Sequence, residues 1–276
     1  EMCIRARNES SPPRERRVAL VTGATGAIGK AIAEGLAAHP GFEVVLLCRD
    51  PARGEAAVRE VQHRTGNHRV RCEIVDLARR ESIAALAGRW SGPAHVLINN
   101  AAVTPRGREE SVEGIELQFT VNVLGYFRMV AAFRDHLAAS APARVVNVAS
   151  YWAGGLDLED LEFRRRAYDN DAAYRQSKQA DRMLTVALAD RLAAAGITVN
   201  ACHPGDVRST LSRNLGFGGH ETPAQAADTP AWLATEHVGA DRTGRYFEHR
   251  REVSCRFAAD REAVEALYRA CEDYGK

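Results

Sequence analysis

Val18-Ala19-Leu20-Val21-Thr22-Gly23-Ala24-Thr25-Gly26-Ala27-Ile28-Gly29 sets a short β-branched apolar run against a glycine-rich turn, and a helical pattern follows over 27–38. A strand running through such a turn into a helix brings backbone N–H groups to the positive helix end, where a pyrophosphate can bind. The spacing is G-x-x-G-x-x-G rather than G-x-G-x-x-G, and glycines also end strands for purely structural reasons. The turn therefore counts only with its context.

The context repeats the pattern. Apolar runs at 43–48, 70–75 and 95–98 alternate with helical periods at 52–63 and 82–90, and such βαβ alternation implies a parallel sheet with helices on both faces. Further on, 112–138 reads as a long helix, 144–148 as a strand, 172–194 as a second long helix and 197–202 as a strand. Helices are expected at 224–235 and 261–271, and a last short strand at 243–247. The expected architecture is one α/β domain of Rossmann type, a doubly wound parallel sheet over residues 18–276. An Arg- and Ser-rich disordered arm is expected over 1–17.

Composition narrows the function classes. Across 276 residues, 37 basic and 36 acidic side chains leave a net charge of +1, so no long-range field draws the chain to nucleic acid or an anionic membrane. No apolar stretch approaches the roughly 18 residues of a membrane span, and no secretory h-region opens the chain. Six scattered cysteines without a C-x-x-C pair suit a reducing compartment, and nine histidines without ligand spacing argue against a bound metal. An intracellular, cytoplasmic protein acting on a small molecule is expected. Organelle targeting stays open, as does the native N-terminus, because the sequence opens on Glu1.

In an open α/β sheet, ligands lie beyond the carboxyl ends of the strands. Gly23, Thr25, Gly26, Ile28 and Gly29 are the expected pyrophosphate turn. The second strand ends Leu47-Cys48-Arg49-Asp50, with Cys48 where an acid would hold a bare ribose hydroxyl. Arg49 follows, and Arg53 lies one turn on. Guanidinium groups suit a 2′-phosphate, so NADP(H) is expected over NAD(H). Asp76 is a candidate for the adenine amino group, and Ile98-Asn99-Asn100-Ala101-Ala102 is a strand end small enough to admit a cofactor.

Tyr174-Arg-Gln-Ser-Lys178 places a phenol and an ammonium four residues apart on one helical face. A nearby cation lowers a phenol's pKa, as a general acid/base requires. Ser150, ending a strand, can hold a substrate oxygen, and Asn122 can bind a water that carries protons toward Lys178. Tyr151, Trp152, Phe163 and Tyr168 either line a hydrophobic pocket or anchor their loop. Arg164-Arg-Arg166 reads as a solvated charge run.

These motifs in this order resemble the short-chain dehydrogenase/reductase family from about Val18 to Phe247. The likeness rests on Thr22–Gly29, Asp76-Leu77, Asn99-Asn100-Ala101, Asn122, Val145–Ser150, Tyr174-x-x-x-Lys178 and His203-Pro204-Gly205. The resemblance implies a catalytic tetrad of Asn122, Ser150, Tyr174 and Lys178. It implies that Lys178 also holds the nicotinamide ribose and that Pro204, Gly205 and Val207 position the carboxamide. Leu47-Cys-Arg-Asp50, Asn122-Val-Leu-Gly125, Tyr174-Arg-Gln-Ser-Lys178-Gln-Ala and Thr243-Gly-Arg-Tyr-Phe247 resemble most the retinol-dehydrogenase and WW-domain-oxidoreductase group. That likeness implies NADP(H)-linked interconversion of a hydrophobic carbonyl and alcohol, and by analogy a homodimer through the two long helices. Departures are the glycine spacing, Ala102 for a usual Gly and Ala149 for the first Ser of a Ser-Ser pair. Two other readings stay open: an NADP(H)-binding redox sensor or scaffold, and a lyase or epimerase using the same Tyr-Lys pair.

Overall fold

The computed structural model describes residues 16–275, so most of the expected arm, 1–15, lies outside the described residues. The chain runs β1 (Arg17–Thr22), α1 (Ala27–Ala38), β2 (Phe42–Cys48), α2 (Pro51–Thr65), β3 (Val70–Ile74), α3 (Arg80–Arg89) and β4 (Val96–Asn99). A π-helical segment (Phe119–Leu124) leads into α4 (Gly125–Ala139), followed by β5 (Ala143–Val148), α5 (Asn170–Leu192) and β6 (Ile197–His203). The rest is α6 (Thr210–Asn214), α7 (Pro223–Thr235), α8 (Val238–Asp241), β7 (Tyr246–Glu248), β8 (Arg251–Val253) and α9 (Arg261–Asp273). The sheet order is β3-β2-β1-β4-β5-β6-β7-β8, parallel except for the final β7–β8 pair. The order reverses between β1 and β4, which opens a crevice at their carboxyl ends.

Alternate residues of each strand feed two cores, which is why the strands read as nearly continuous apolar runs. Val18, Leu20, Val45 and Leu47 pack with α3, α4, α5 and α9. Ala19, Val21, Val44 and Leu46 pack with α1, α2 and α7 on the opposite face. Among the described residues no helix is long and apolar enough to cross a membrane.

Two expectations need correction. Residues 112–116 are a turn, not the start of a long helix: Gly114 sits at φ 73°, and Ser111 Oγ accepts from Glu113 N–H. The helix then starts where the Glu116 carboxylate accepts from the N–H groups of Gln118 and Phe119. The last parallel strand begins at Tyr246, after Gly244 turns at φ 71°. It is followed by β8, reached through His249 and Arg250, both at positive φ. A tight hairpin usually advertises itself by Gly or Asn at such positions, and this one has neither.

The faces of α4 and α5 turned from the sheet, from which a homodimer was expected, are covered by α9. Its buried Val264, Leu267 and Cys271 join the core, while Tyr268 packs edge-on against Phe127 and Tyr274 against Phe119. A dimer through those faces would have to displace this helix. Leu267→Ala removes a fully buried side chain and should cost about 2–5 kcal/mol, read as a lower midpoint in urea unfolding.

Candidate active site

The turn after β1 is held by crowding. A Cβ on Gly23, at φ 64°, would lie 2.8 Å from Ala101 Cα, and one on Gly29 would lie 2.4 Å from the Gly23 carbonyl. Thr22 Oγ1 accepts from the N–H groups of Asn100 (2.8 Å) and Ala101 (3.1 Å), and Asn100 Nδ2 donates to the Thr22 carbonyl (2.9 Å). The turn thereby meets the end of β4. Helix α1 starts at Gly26 with no side-chain cap and no acid in its first turn. Its first N–H groups and its dipole are thus left for an anion, so these residues fit a pyrophosphate.

Ile28, Asn100, Ala102, Ser150, Tyr174 and Lys178 border one cleft beyond the strand ends, closed on the far side by Pro204, Gly205 and Val207. Thr25 lies in the turn itself, between Gly23 and the helix start. At the end of β2, Arg49 and Arg53 are exposed and have no ion-pair partner among the described residues, whereas Asp50 caps α2 by accepting from Arg53 N–H. Free guanidinium groups there fit a 2′-phosphate. Asp76 accepts from Ala78 N–H (3.0 Å) and pairs with Arg79 (3.5 Å), which leaves its carboxylate partly engaged. Leu77 is buried, directly beneath Gly125.

Asn99 is placed differently from expectation. Its side chain is fully buried and donates to Asn147 Oδ1, which belongs to a side chain that in turn donates to Thr185 Oγ1 on α5. The cleft-facing amide is that of Asn100, one residue on. Alternation along a strand would have put successive side chains on opposite faces, but not said which one ends in the core. Asn122 comes to the site's rear through the π-helical segment. Its amide clamps Val103, accepting from N–H at 2.9 Å and donating to C=O at 3.1 Å, and it also reaches Ser177 Oγ. With the side chain so committed, Asn122 holds the loop after β4.

Tyr174 and Lys178 lie on the inner face of α5, which Asp169 caps by accepting from Ala172 N–H. Tyr174 faces Ser150 across the cleft floor, and Ser150 Oγ accepts from Trp152 N–H. Burial pushes the phenol above its ordinary pKa, the neighbouring Ser150 hydroxyl pulls it back, and the Asp181 carboxylate pushes it further up. The i, i+4 spacing had suggested a phenol drawn toward neutrality by Lys178. Instead the ammonium, 5.9 Å from the Tyr174 ring centre, donates to Asp181 Oδ2 (2.8 Å) and the Val148 carbonyl (3.0 Å).

Of the loop aromatics, Phe163 and Tyr168 pack edge-to-face and anchor the loop. Trp152 lines the cleft, stacked at 5.4 Å on Phe217, beside Leu211. Tyr151 donates to Asp206 Oδ2 and abuts His203. The run 164–166 is not simply solvated, because all three backbone N–H groups converge on the Asp160 carboxylate.

The family profile for short chain dehydrogenases matches residues 17–216. The chain belongs to that family. Mouse retinol dehydrogenase 13 is 37% identical over 268 residues, covering 90% of this chain and 80% of the relative. A solved, uncharacterized protein from Mycobacterium paratuberculosis superposes with a TM-score of 0.79 at 29% identity, covering 95% of this chain and 94% of its own. The NADP active-site complex of Pseudomonas aeruginosa RhlG gives 0.68 at 26% identity, covering 86% and 97%.

The residues that sequence reading missed are those whose role lies in contact. Thr22 looks like the last residue of a strand, yet its hydroxyl holds two backbone N–H groups of the neighbouring strand end. Thr22→Val keeps the shape and removes that acceptor, so it should cost about 1–3 kcal/mol for each orphaned N–H in urea unfolding.

Proposed function

We propose that this short chain dehydrogenase family member is an NADP(H)-dependent oxidoreductase. It interconverts a hydrophobic carbonyl and its alcohol, with Tyr174 as general acid/base. The observation that carries this reading is that Tyr174, Ser150 and Lys178 line one cleft with Ile28 of the α1 turn and Pro204–Val207. Proton transfer and cofactor binding would thus share one cavity.

NADP(H), when bound, supplies or accepts the hydride. Gly23, Thr25, Gly26, Ile28 and Gly29 would hold its pyrophosphate, and Arg49 and Arg53 its 2′-phosphate. Asp76, Leu77, Asn100 and Ala101 would border the adenosine and ribose, and Pro204, Gly205 and Val207 the carboxamide. The likeness to a solved NADP complex supports the same cofactor. In reduction, Ser150 donates a hydrogen bond to the substrate oxygen and Tyr174 gives it a proton as negative charge develops. The protonated state imposed on Tyr174 by burial suits that donor role. The stacked Trp152 and Phe217 with Leu211 give the substrate side an apolar wall, and the likeness to a retinol dehydrogenase agrees with a hydrophobic substrate.

The test is NADPH consumption against aliphatic, aromatic, steroid and retinoid carbonyls. Tyr174→Phe should lower turnover by about 10²–10⁴-fold while NADPH binding, followed by nicotinamide fluorescence, persists. If the wild type binds NADPH and turns over no carbonyl, the sensor or scaffold reading replaces this one. Joint substitution Arg49→Ala, Arg53→Ala should reduce the preference for NADPH over NADH by about tenfold or more, the value of one charge-assisted contact. The ratio of kcat/KM for the two cofactors reads it directly.

A further inference from the structure

Arg175 follows Tyr174 on α5, and Arg256 opens a short helical turn, Arg256–Ala258, ahead of α9. Their guanidinium groups meet at the pair of glycines that follows Trp152 and Ala153. A Cβ built on Gly154 would have Arg175 Nη2 at 3.4 Å and Arg256 Nη2 at 3.8 Å, and no other described atom within 4 Å apart from its own chain neighbours. Gly155, at φ 73°, is exposed with open space before it. Two like charges thus approach one gap in the main chain. Neither is well paired: Arg256 has no ion-pair partner among the described residues, and Arg175 reaches Asp171, one turn earlier, only at 3.9 Å.

A third cation stands behind them. Arg182, two turns along α5 from Arg175, is 7% exposed, has no ion-pair partner among the described residues, and its Nε has no hydrogen-bond partner there. Its guanidinium lies 3.6 Å from the centre of the Tyr246 ring and 5.1 Å from that of Phe257, while Arg256 lies 4.8 Å from the same Phe257 ring. Aromatic faces hold a guanidinium by its plane and leave the N–H edge free. That edge is what a carboxylate or phosphate takes up, through paired charge-assisted hydrogen bonds. The stack therefore explains how the cations are held without acids, and it leaves their donors unused.

We propose that Arg175 and Arg256 form an anion-binding site at the Gly154–Gly155 turn, separate from the positions that hold the cofactor's phosphates, with Arg182 adding positive field from behind. Its ligand carries a carboxylate or a phosphate group. Glycine at 154 keeps the space between the two guanidinium groups clear, where a side chain would cover their edges. The site borders the cleft rather than lying in it: Trp152 lines the cleft two residues before Gly154, and Tyr174, another lining residue, precedes Arg175. The anion is either the acidic end of a substrate that lies along Trp152 or a separate small anion, and the recognising chemistry is the same. The first source rests on the reading of the cleft as a carbonyl–alcohol site; anion binding itself does not.

The test is calorimetric titration of inorganic phosphate into the protein saturated with NADP+, at constant ionic strength, so that the cofactor's own phosphate positions are filled. The wild type should bind saturably at one site. Joint substitution Arg175→Gln, Arg256→Gln should weaken that binding by about tenfold or more, the loss of charge-assisted hydrogen bonds. Arg256→Gln alone, at an exposed position that the fold does not depend on, should give part of the loss. Arg59→Gln, which removes an exposed charge from α2, should leave binding unchanged. The proposal is overturned by a wild type without saturable phosphate binding, by a folded double variant or Arg256→Gln that binds as the wild type does, or by an equal loss in Arg59→Gln. The source of the anion is read from KM for two carbonyl compounds of equal length, one ending in a carboxylate and one in its methyl ester. An advantage of the acid that disappears in the double variant assigns the site to the substrate, and equal values assign it to a separate anion. Failure to turn over any carbonyl would remove the oxidoreductase reading and leave the phosphate result standing.

Discussion

The architecture depends on the backbone-to-backbone meeting of β1 and β4 at the point where the sheet order reverses. With Gly23 pressed on Ala101, Gly29 on the Gly23 carbonyl and the Thr22 hydroxyl bridging to Asn100 and Ala101, two strand ends and a helix start share one small volume. Side chains at Gly23 or Gly29 would force these segments apart. The crevice therefore has a rigid wall made of main chain, whose N–H groups need no reorganisation to meet an anion. The register carries the remaining groups into line. Asn99 pairs with Asn147 and Val148 with Cys202, so the ends of β4, β5 and β6 form one row.

A second constraint orients α5 above that row. Asn99, Asn147 and Thr185 form a chain of side-chain hydrogen bonds from β4 through β5 to the helix, and Thr185 also donates to the Asp181 carbonyl. Turning α5 about its axis would break this buried chain and leave its members unsatisfied, at a cost of about 1–3 kcal/mol each. The polar ladder thus fixes which residues of α5 face the cleft. Tyr174 and Lys178 point there because Thr185, two turns beyond Lys178, is tied to the sheet.

The sheet was legible because burial on both faces forces runs of β-branched residues, and the order of turn, Ser150, Tyr174 and Lys178 was legible because chain order survives folding. What could not be read depended on where a side chain ends up. Asn99 and Asn100 are chemically identical neighbours, and only the pleat decides that the first enters the core and the second the cleft. The Tyr174–Lys178 spacing gave their common face, but not the enclosed carboxylate of Asp181 that lies against the ammonium. Likewise 112–116 has the composition of a helix start, but a left-handed Gly114 and the Glu116 carboxylate defer that start to the next turn.

Enclosure of the ion pair comes from the far end of the chain. Asp181 lies near Cys271 on α9, the helix that brings Val264 and Leu267 onto the outer side of α5. Removing water from that side weakens dielectric screening, so the pair interacts more strongly than an exposed one. The same desolvation raises the penalty for leaving either charge alone. A helix without a residue lining the cleft thereby helps set the charge balance at its floor.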